Sequence, residues 1–236
     1  MKYLCRHCGN QLENELIDLG HQPPSNAYLK KDELNKAETY YPLKVYICQK
    51  CWLMQIPEYA KAEDLFTSDY AYFSSTSTSW CNHVKQFVVK AVNKLKLTKD
   101  SNVVEIASND GYLLQYVKDL GIPCIGIEPT HATAEAARRK GINTIESFFG
   151  IELAKNLKER KQINSEGVDL VIANNVVAHV PDINDFIDGI SYILKQNAFA
   201  SIEFPHVLNL INKNQFDTIY HEHYSYLSLR VIQRIS

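Results

Sequence analysis

Four of the six cysteines fall into two pairs of identical spacing, Cys5-x-x-Cys8 and Cys48-x-x-Cys51. Each pair puts two thiolates on one tight turn, and two such turns complete a tetrahedron around zinc. No other signal in residues 1–60 constrains the fold as strongly, because periodicity there is weak. The 39 residues between the pairs exceed the usual short gap. Loop-closure entropy grows only with the logarithm of length, so the gap is tolerated. Four cysteine ligands leave no open coordination position, which makes the metal structural. The alternative is free thiols or a redox pair. His7, between two ligands, is expected to be exposed rather than to bind. Cys81 and Cys124 lack partners at a suitable spacing and are expected to be buried hydrophobes. Apolar alternation at Leu43, Val45 and Ile47 predicts a strand entering Cys48, with a second short apolar stretch over 52–56.

From residue 82 the pattern changes. Val84, Phe87, Val88, Ala91, Val92 and Leu95 recur at helical spacing. Strands then alternate with helices: strands over 102–107, 123–127, 142–145, 168–173 and 198–203, and helices over 112–120, 132–140, 149–158 and 183–194. Gly121 and Gly141 close two of the helices. Such alternation specifies an α/β fold, a parallel sheet of about five strands with helices on both faces. The hydroxyl- and aromatic-rich stretch 69–80 reads as a connector folded over a neighbouring site. Residues 227–236 read as the start of another helix. Two domains are expected, 1–66 and 67–236.

The first strand of the sheet runs into Glu105-Ile-Ala107-Ser108-Asn-Asp110-Gly111, a tight turn leading to a helix. A doubly wound sheet binds its cofactor at this rim. Gly111 lets backbone approach a ligand closely. Ser108 and Asp110 offer acceptors to an amino-acid head group, or cap the next helix. The turn is not G-x-G-x-x-G, which disfavours a dinucleotide. Eighteen residues after Asp110, Glu128 ends the second strand, placed to accept from ribose hydroxyls. Asn174 ends the fourth strand at the same rim, either lining the cofactor or capping a helix. Phe148 and Phe149 either flank an adenine or pack in the core.

Tyr220-His221-Glu222-His223 is the densest chemistry in the chain. Histidine takes a proton near neutral pH, an adjacent glutamate orients it, and a tyrosine hydroxyl donates to an enolate oxygen. A second metal site and a structural network are the alternatives. His179 lies at the same rim, for catalysis or for capping the helix after Pro181. A net charge of −2 leaves no basic footprint for nucleic acid. No apolar stretch reaches membrane-span length, and the N-terminus lacks a secretory apolar region. A cytoplasmic monomer is expected.

Taken together, these segments resemble the sugar C-methyltransferases of deoxysugar biosynthesis. The resemblance rests on both cysteine pairs, Gln22-Pro-Pro-Ser-Asn-Ala27, Tyr70-Ala-Tyr-Phe-Ser-Ser75, Glu105-Ile-Ala-Ser-Asn-Asp-Gly111, Gly126-Ile-Glu-Pro129, Asn174-Asn-Val-Val-Ala-His-Val-Pro-Asp182, Glu203-Phe-Pro-His206 and Tyr220-His-Glu-His-Tyr-Ser-Tyr-Leu-Ser228. It implies a zinc-binding domain before a Rossmann-like domain using S-adenosylmethionine, and a nucleotide-linked 4-keto-deoxysugar as methyl acceptor. It also implies a continuation past Ser236 with further strands and another domain. By the same resemblance His223, paired with Glu222, is the base, Tyr220 and His179 are its partners, and Tyr72 or Tyr70 reaches over the substrate. The candidate cofactor contacts, read from the residues themselves, are Glu105, Ala107, Ser108, Asp110, Gly111, Glu128, Phe148 and Asn174. The rivals are an O- or N-methyltransferase and a non-catalytic fragment binding zinc and a nucleoside.

Overall fold

The first cysteine pair precedes a long hairpin, and the second lies in the turn after it. The computed structural model describes residues 2–66 and 72–236. Strand β1 (Asn14–Gln22) pairs antiparallel with β2 (Tyr41–Ile47), with register shifts between Glu15 and Ile17 and between Asp18 and His21. In β2 Leu43 and Val45 are buried while Lys44 and Tyr46 are not, so the expected strand into Cys48 is present. The turn Cys48–Cys51 leads into β3 (Met54–Gln55), and α1 (Ala62–Leu65) follows. β1 itself has no counterpart in the sequence reading: seven of its nine residues are exposed, so apolar alternation does not mark it.

Helix α2 (Thr78–Leu95) begins earlier than the apolar period suggests, because the Ser77 hydroxyl caps it by accepting from the Trp80 amide. It ends with Lys96 in the left-handed region. Next come β4 (Val103–Ile106), α3 (Leu114–Asp119), β5 (Cys124–Ile127), α4 (His131–Arg139), β6 (Thr144–Ile145), α5 (Ile151–Glu159), β7 (Val168–Asn174), α6 (Ile183–Ile193) and β8 (Leu194–Glu203). The five strands form one sheet in the order β6-β5-β4-β7-β8, and every pairing is parallel. This is the expected doubly wound α/β architecture. β4 is central and buried along its whole length, and the chain leaves it to β5 on one side and reaches β7 on the other. The crevice for a ligand opens at the carboxyl end of such a strand. Val84 and Val88 of α2 join Val103, Val117, Leu170 and Ile172 in one core.

Past β8 the chain adds α7 (Val207–Asn212), β9 (Ser225–Tyr226) and α8 (Leu229–Ile235), the last capped by Ser228 as the expected terminal helix. β9 pairs with β3 and completes an antiparallel sheet of order β1-β2-β3-β9. Two compact units result. One holds residues 1–66, 175–184 and 204–236, and the other holds the parallel sheet. The expected split assigns 204–236 to the methyltransferase domain, whereas here that segment packs with the N-terminal module. The physical reason is that β3 has only two residues. Tyr226 and Ile219 supply apolar cover to Leu43, Val45, Met54 and Ile56 that β3 cannot provide alone. No helix among the described residues is long and apolar enough to cross a membrane.

Candidate active site and metal centre

Both knuckles fold the same way. The Gly9 amide donates to the Cys5 carbonyl at 2.9 Å, and the Trp52 amide donates to the Cys48 carbonyl at 2.9 Å. Gly9 and Trp52 both sit at positive φ, 69° and 68°. For Gly9 this conformation is free, and for Trp52 it is not. The turns bring the Cys5 and Cys51 Sγ atoms to 3.5 Å and the Cys8 and Cys48 Sγ atoms to 3.5 Å. All four lie within 4.8 Å of one another. A tetrahedral site with Zn–S near 2.3 Å has sulfur–sulfur edges of about 3.8 Å, so the four thiols fit zinc. Among the described residues they are the one group placed to hold a metal. His7 lies outside that group and is half-buried rather than exposed: its Nδ1 lies 2.8 Å from the Asn184 side-chain oxygen. Gln55 donates from Nε2 to Cys5 Sγ at 3.2 Å. Cys81 and Cys124 are half-buried rather than buried: Cys124 packs against the core of the parallel sheet, while Cys81 Sγ donates to the Ser75 carbonyl at 3.7 Å.

At the end of β4 the backbone alternates sign. Ala107, Asn109 and Gly111 have φ of 56°, 49° and 75°. Backbone amides in such an alternation turn inward and make a concave seat for an acceptor group. Gly126 in β5 gives the turn room, since a Cβ there would come within 2.3 Å of Ser108 Oγ. Ser108 is fully buried, and among the described residues its hydroxyl has no hydrogen-bond partner. Among the described residues neither oxygen of the fully buried Glu105 makes a well-formed hydrogen bond, although the Tyr112 hydroxyl lies near. Burial holds the Glu105 carboxyl well above the usual carboxylate range, with the charges of Glu128 and Asp110 adding to it against the Tyr112 hydroxyl. Such orphaned polar groups are costly unless a ligand supplies partners. A nucleoside carrying an ammonium and hydroxyls fits that need.

The other predicted cofactor residues are partly engaged. Glu128 accepts from the Asn109 amide at 2.9 Å and from the amide and hydroxyl of Thr130. It therefore fastens the end of β5 to the turn. Asp110 accepts from the Ser75 amide and hydroxyl, and pairs with Lys140 at 3.1 Å. Asn109, which the sequence reading passes over, accepts from the Ser74 amide at 2.8 Å and donates to the Tyr72 carbonyl at 3.0 Å. Residues 72–76 are thus folded onto the turn. The Tyr72 side chain is exposed, and Tyr70 lies outside the described residues. Asn174 is buried at the end of β7. Phe148 is exposed, whereas Phe149 packs against Phe186 at 5.6 Å. The core role thus falls to Phe149.

The histidine cluster belongs to the first unit. His223 Nδ1 lies 2.8 Å from the Thr218 carbonyl, and its Nε2 lies 2.8 Å from the Tyr220 hydroxyl. A carbonyl only accepts, so Nδ1 carries the proton. Nε2 is then the basic nitrogen, accepting from Tyr220. Glu222, expected beside His223, also reaches another segment of its unit. Its carboxylate accepts from Ser25 Oγ at 3.0 Å and Asn26 Nδ2 at 2.7 Å, tying down the Pro-Pro-Ser-Asn turn. Its backbone carbonyl lies 2.8 Å from His179 Nδ1, and the His179 and His223 rings are 4.6 Å apart. His221 points elsewhere, its Nε2 lying 3.1 Å from the Pro42 carbonyl.

Burial lowers the His223 pKa, and burial with the neighbouring His223 lowers that of His179 to about 3. Both imidazoles are therefore neutral at pH 7. The unfolded chain binds protons near pH 6.5 that the folded chain refuses. Stability is then complete above the unfolded pKa and falls as pH drops through it. Urea unfolding at pH 5.5 should show about 2 kcal/mol less stability than at pH 7.5. H179Q should shrink that difference, and an unchanged difference in the variant contradicts the assignment.

A strained turn at the end of the central strand, with an acid closing the next, marks an α/β domain that seats a nucleoside cofactor. The comparisons narrow the class. The family model described as a methyltransferase domain matches residues 80–235, about two thirds of the chain, and the chain belongs to that family. Residues 5–66 match the model described as a zinc binding domain. The C-methyltransferase NovU of Streptomyces niveus is 32% identical over 225 residues, 95% of this chain and 52% of NovU. The chain spans about half the length of that relative. A SAM-dependent methyltransferase from Archaeoglobus fulgidus shares the fold at TM-score 0.51 and 20% identity, over 64% of this chain and 66% of that one. The Bacillus YcgJ protein does so at TM-score 0.51 and 17% identity, over 65% and 66%.

Proposed function

We propose that the protein is an S-adenosylmethionine-dependent C-methyltransferase that alkylates the carbon next to the ketone of a nucleotide-linked 4-keto-deoxysugar. The observation carrying this reading is the His223 tautomer: Nδ1 is committed to the Thr218 carbonyl, leaving Nε2 as a neutral, largely buried base. Such a base serves an acidic C–H, whereas alkylation of an amine or hydroxyl has less need of it. S-adenosylmethionine supplies an electrophilic methyl group on a sulfonium. Glu105 and Ser108, with their unpartnered polar atoms, and Glu128 and the 107–111 turn would hold it. The Tyr220 hydroxyl donates to Nε2. An incoming ketone oxygen takes over that hydroxyl, which then stabilises the enolate and frees Nε2 for the proton on the adjacent carbon. His179, neutral and tilted against His223, keeps a second positive charge out of the cluster. The substrate class is supported by the likeness to a C-methyltransferase and by the motifs set out above. The cytoplasm suits the reading, because thiolates there stay available to zinc.

The experiment is solvent exchange. In deuterium oxide, without methyl donor, the protein should wash deuterium into the carbon beside the ketone of a nucleotide-linked 4-keto-deoxyhexose. With S-adenosylmethionine a methyl group should appear on that carbon. Methyl transfer to oxygen or nitrogen, with no exchange, would establish the rival enzyme class.

A further inference from the structure

We infer that the two residues between Cys5 and Cys8 are positioning residues, through which the zinc knuckle sets the geometry of the His179–His223 pair. Arg6 leaves its knuckle and forks. One terminal nitrogen donates to the Pro181 carbonyl at 2.7 Å and the other to the Ile56 carbonyl at 2.6 Å. The guanidinium lies 5.1 Å from the centre of the Tyr224 ring. His7 and Asn184 clasp each other twice: the ring Nδ1 meets the amide oxygen at 2.8 Å, and the amide nitrogen donates to the His7 carbonyl at 2.9 Å. The segment so gripped, between Pro181 and Asn184, begins two residues after His179. Tyr224 follows His223 directly, is 1% exposed, and anchors its hydroxyl on the Ala60 carbonyl at 3.0 Å. Both histidines therefore have a neighbour held by the same four-residue knuckle. Within the knuckle, the Arg6 amide is itself fixed on the Gln55 side chain at 2.9 Å, and Gln55 also donates to Cys5 Sγ.

The fork is specific to arginine. A lysine presents one compact charge and cannot reach two carbonyls in a plane. The catalytic consequence rests on the reading of His223 as base, but the geometric claim does not.

The test uses the zinc-loaded protein and the variants Arg6→Lys and Asn184→Leu. Imidazole nitrogen chemical shifts should change at His179 and His223 and stay fixed at His83 and His131, with one zinc per chain retained. Substrate C–H exchange should fall about a hundredfold in Arg6→Lys, the usual consequence of misplacing a reacting group by about an ångström. The affinity for S-adenosylmethionine, read by calorimetry, should not change. Guanidinium ion at low millimolar concentration should restore part of the exchange in Arg6→Ala. Unchanged His179 and His223 shifts in both folded, zinc-loaded variants would overturn the inference. If the parent protein shows no exchange at all, the proposed function fails, and the shifts still decide the positioning claim.

Discussion

Replacing His223 with asparagine should lower methyl transfer by about a thousandfold, roughly 4 kcal/mol of transition-state stabilisation. Asparagine is the informative choice because its amide nitrogen falls close to the position of Nδ1. The variant can still donate to the Thr218 carbonyl that fixes His223 at 2.8 Å. What it loses is Nε2, the nitrogen that accepts from Tyr220. Structure is thereby separated from proton transfer. Binding of S-adenosylmethionine should stay within about twofold of the parent, because Glu105, Ser108 and Glu128 belong to the parallel-sheet unit. Deuterium exchange into the substrate should fall in step with methyl transfer, since both need the same proton removed. Tyr220→Phe should have a smaller effect on exchange, about ten- to a hundredfold, because Nε2 survives and only the donor to the enolate oxygen is gone. A fully active His223→Asn protein would remove the base from the proposal.

The cysteine pairs and the parallel sheet were open to sequence reasoning for a common reason: each is fixed by a local rule. Thiolate chemistry sets the two-residue spacing, and burial on both faces makes β4 and β7 read as apolar runs. β1 was hidden because it is exposed and bulged, so that its partner β2, rather than its own residues, makes it a strand. β9 was hidden because two residues carry no period, and its place is decided by the free edge of β3. Within the candidate site the difficulty is of another kind. Glu222 and His223 are adjacent in sequence, and adjacency suggested a pair. In a turn closed by the His223 amide on the Tyr220 carbonyl, neighbouring side chains diverge. Glu222 consequently meets Ser25 and Asn26, nearly two hundred positions away. Arg6 gave no signal at all, because a basic residue between two metal ligands looks like a solvated one until Pro181 and Ile56 are placed beside it.

Stripping the metal should unfold the first unit and spare the second. Structural zinc contributes about 10–16 kcal/mol of apparent binding free energy at neutral pH, as much as or more than the whole stability of an ordinary domain. The first unit has little to set against that loss. Its sheet ends in strands of two residues, β3 and β9, and its main core is built from Leu43, Val45, Met54, Ile56, Ile219 and Tyr226. The register of β3 follows directly from the Cys48–Cys51 turn, in which the Cys48 amide donates to the Leu53 carbonyl at 3.0 Å. Without a cation, four thiols crowded within 4.8 Å have no reason to hold that turn, and ionised they repel. The parallel sheet has its own core around Val103, Leu114 and Ile172 and no ligand in the cluster. Amide hydrogen exchange after treatment with a strong zinc chelator should therefore show protection lost over β1–β3 and β9. Protection should persist over β4, β5 and β7, and so should affinity for S-adenosylmethionine. Cys51→Ser should reproduce the pattern. Residual protection of β2 in zinc-free protein, equal to that of the loaded form, would mean that apolar packing alone carries this module and that the tetrahedron is incidental to its fold.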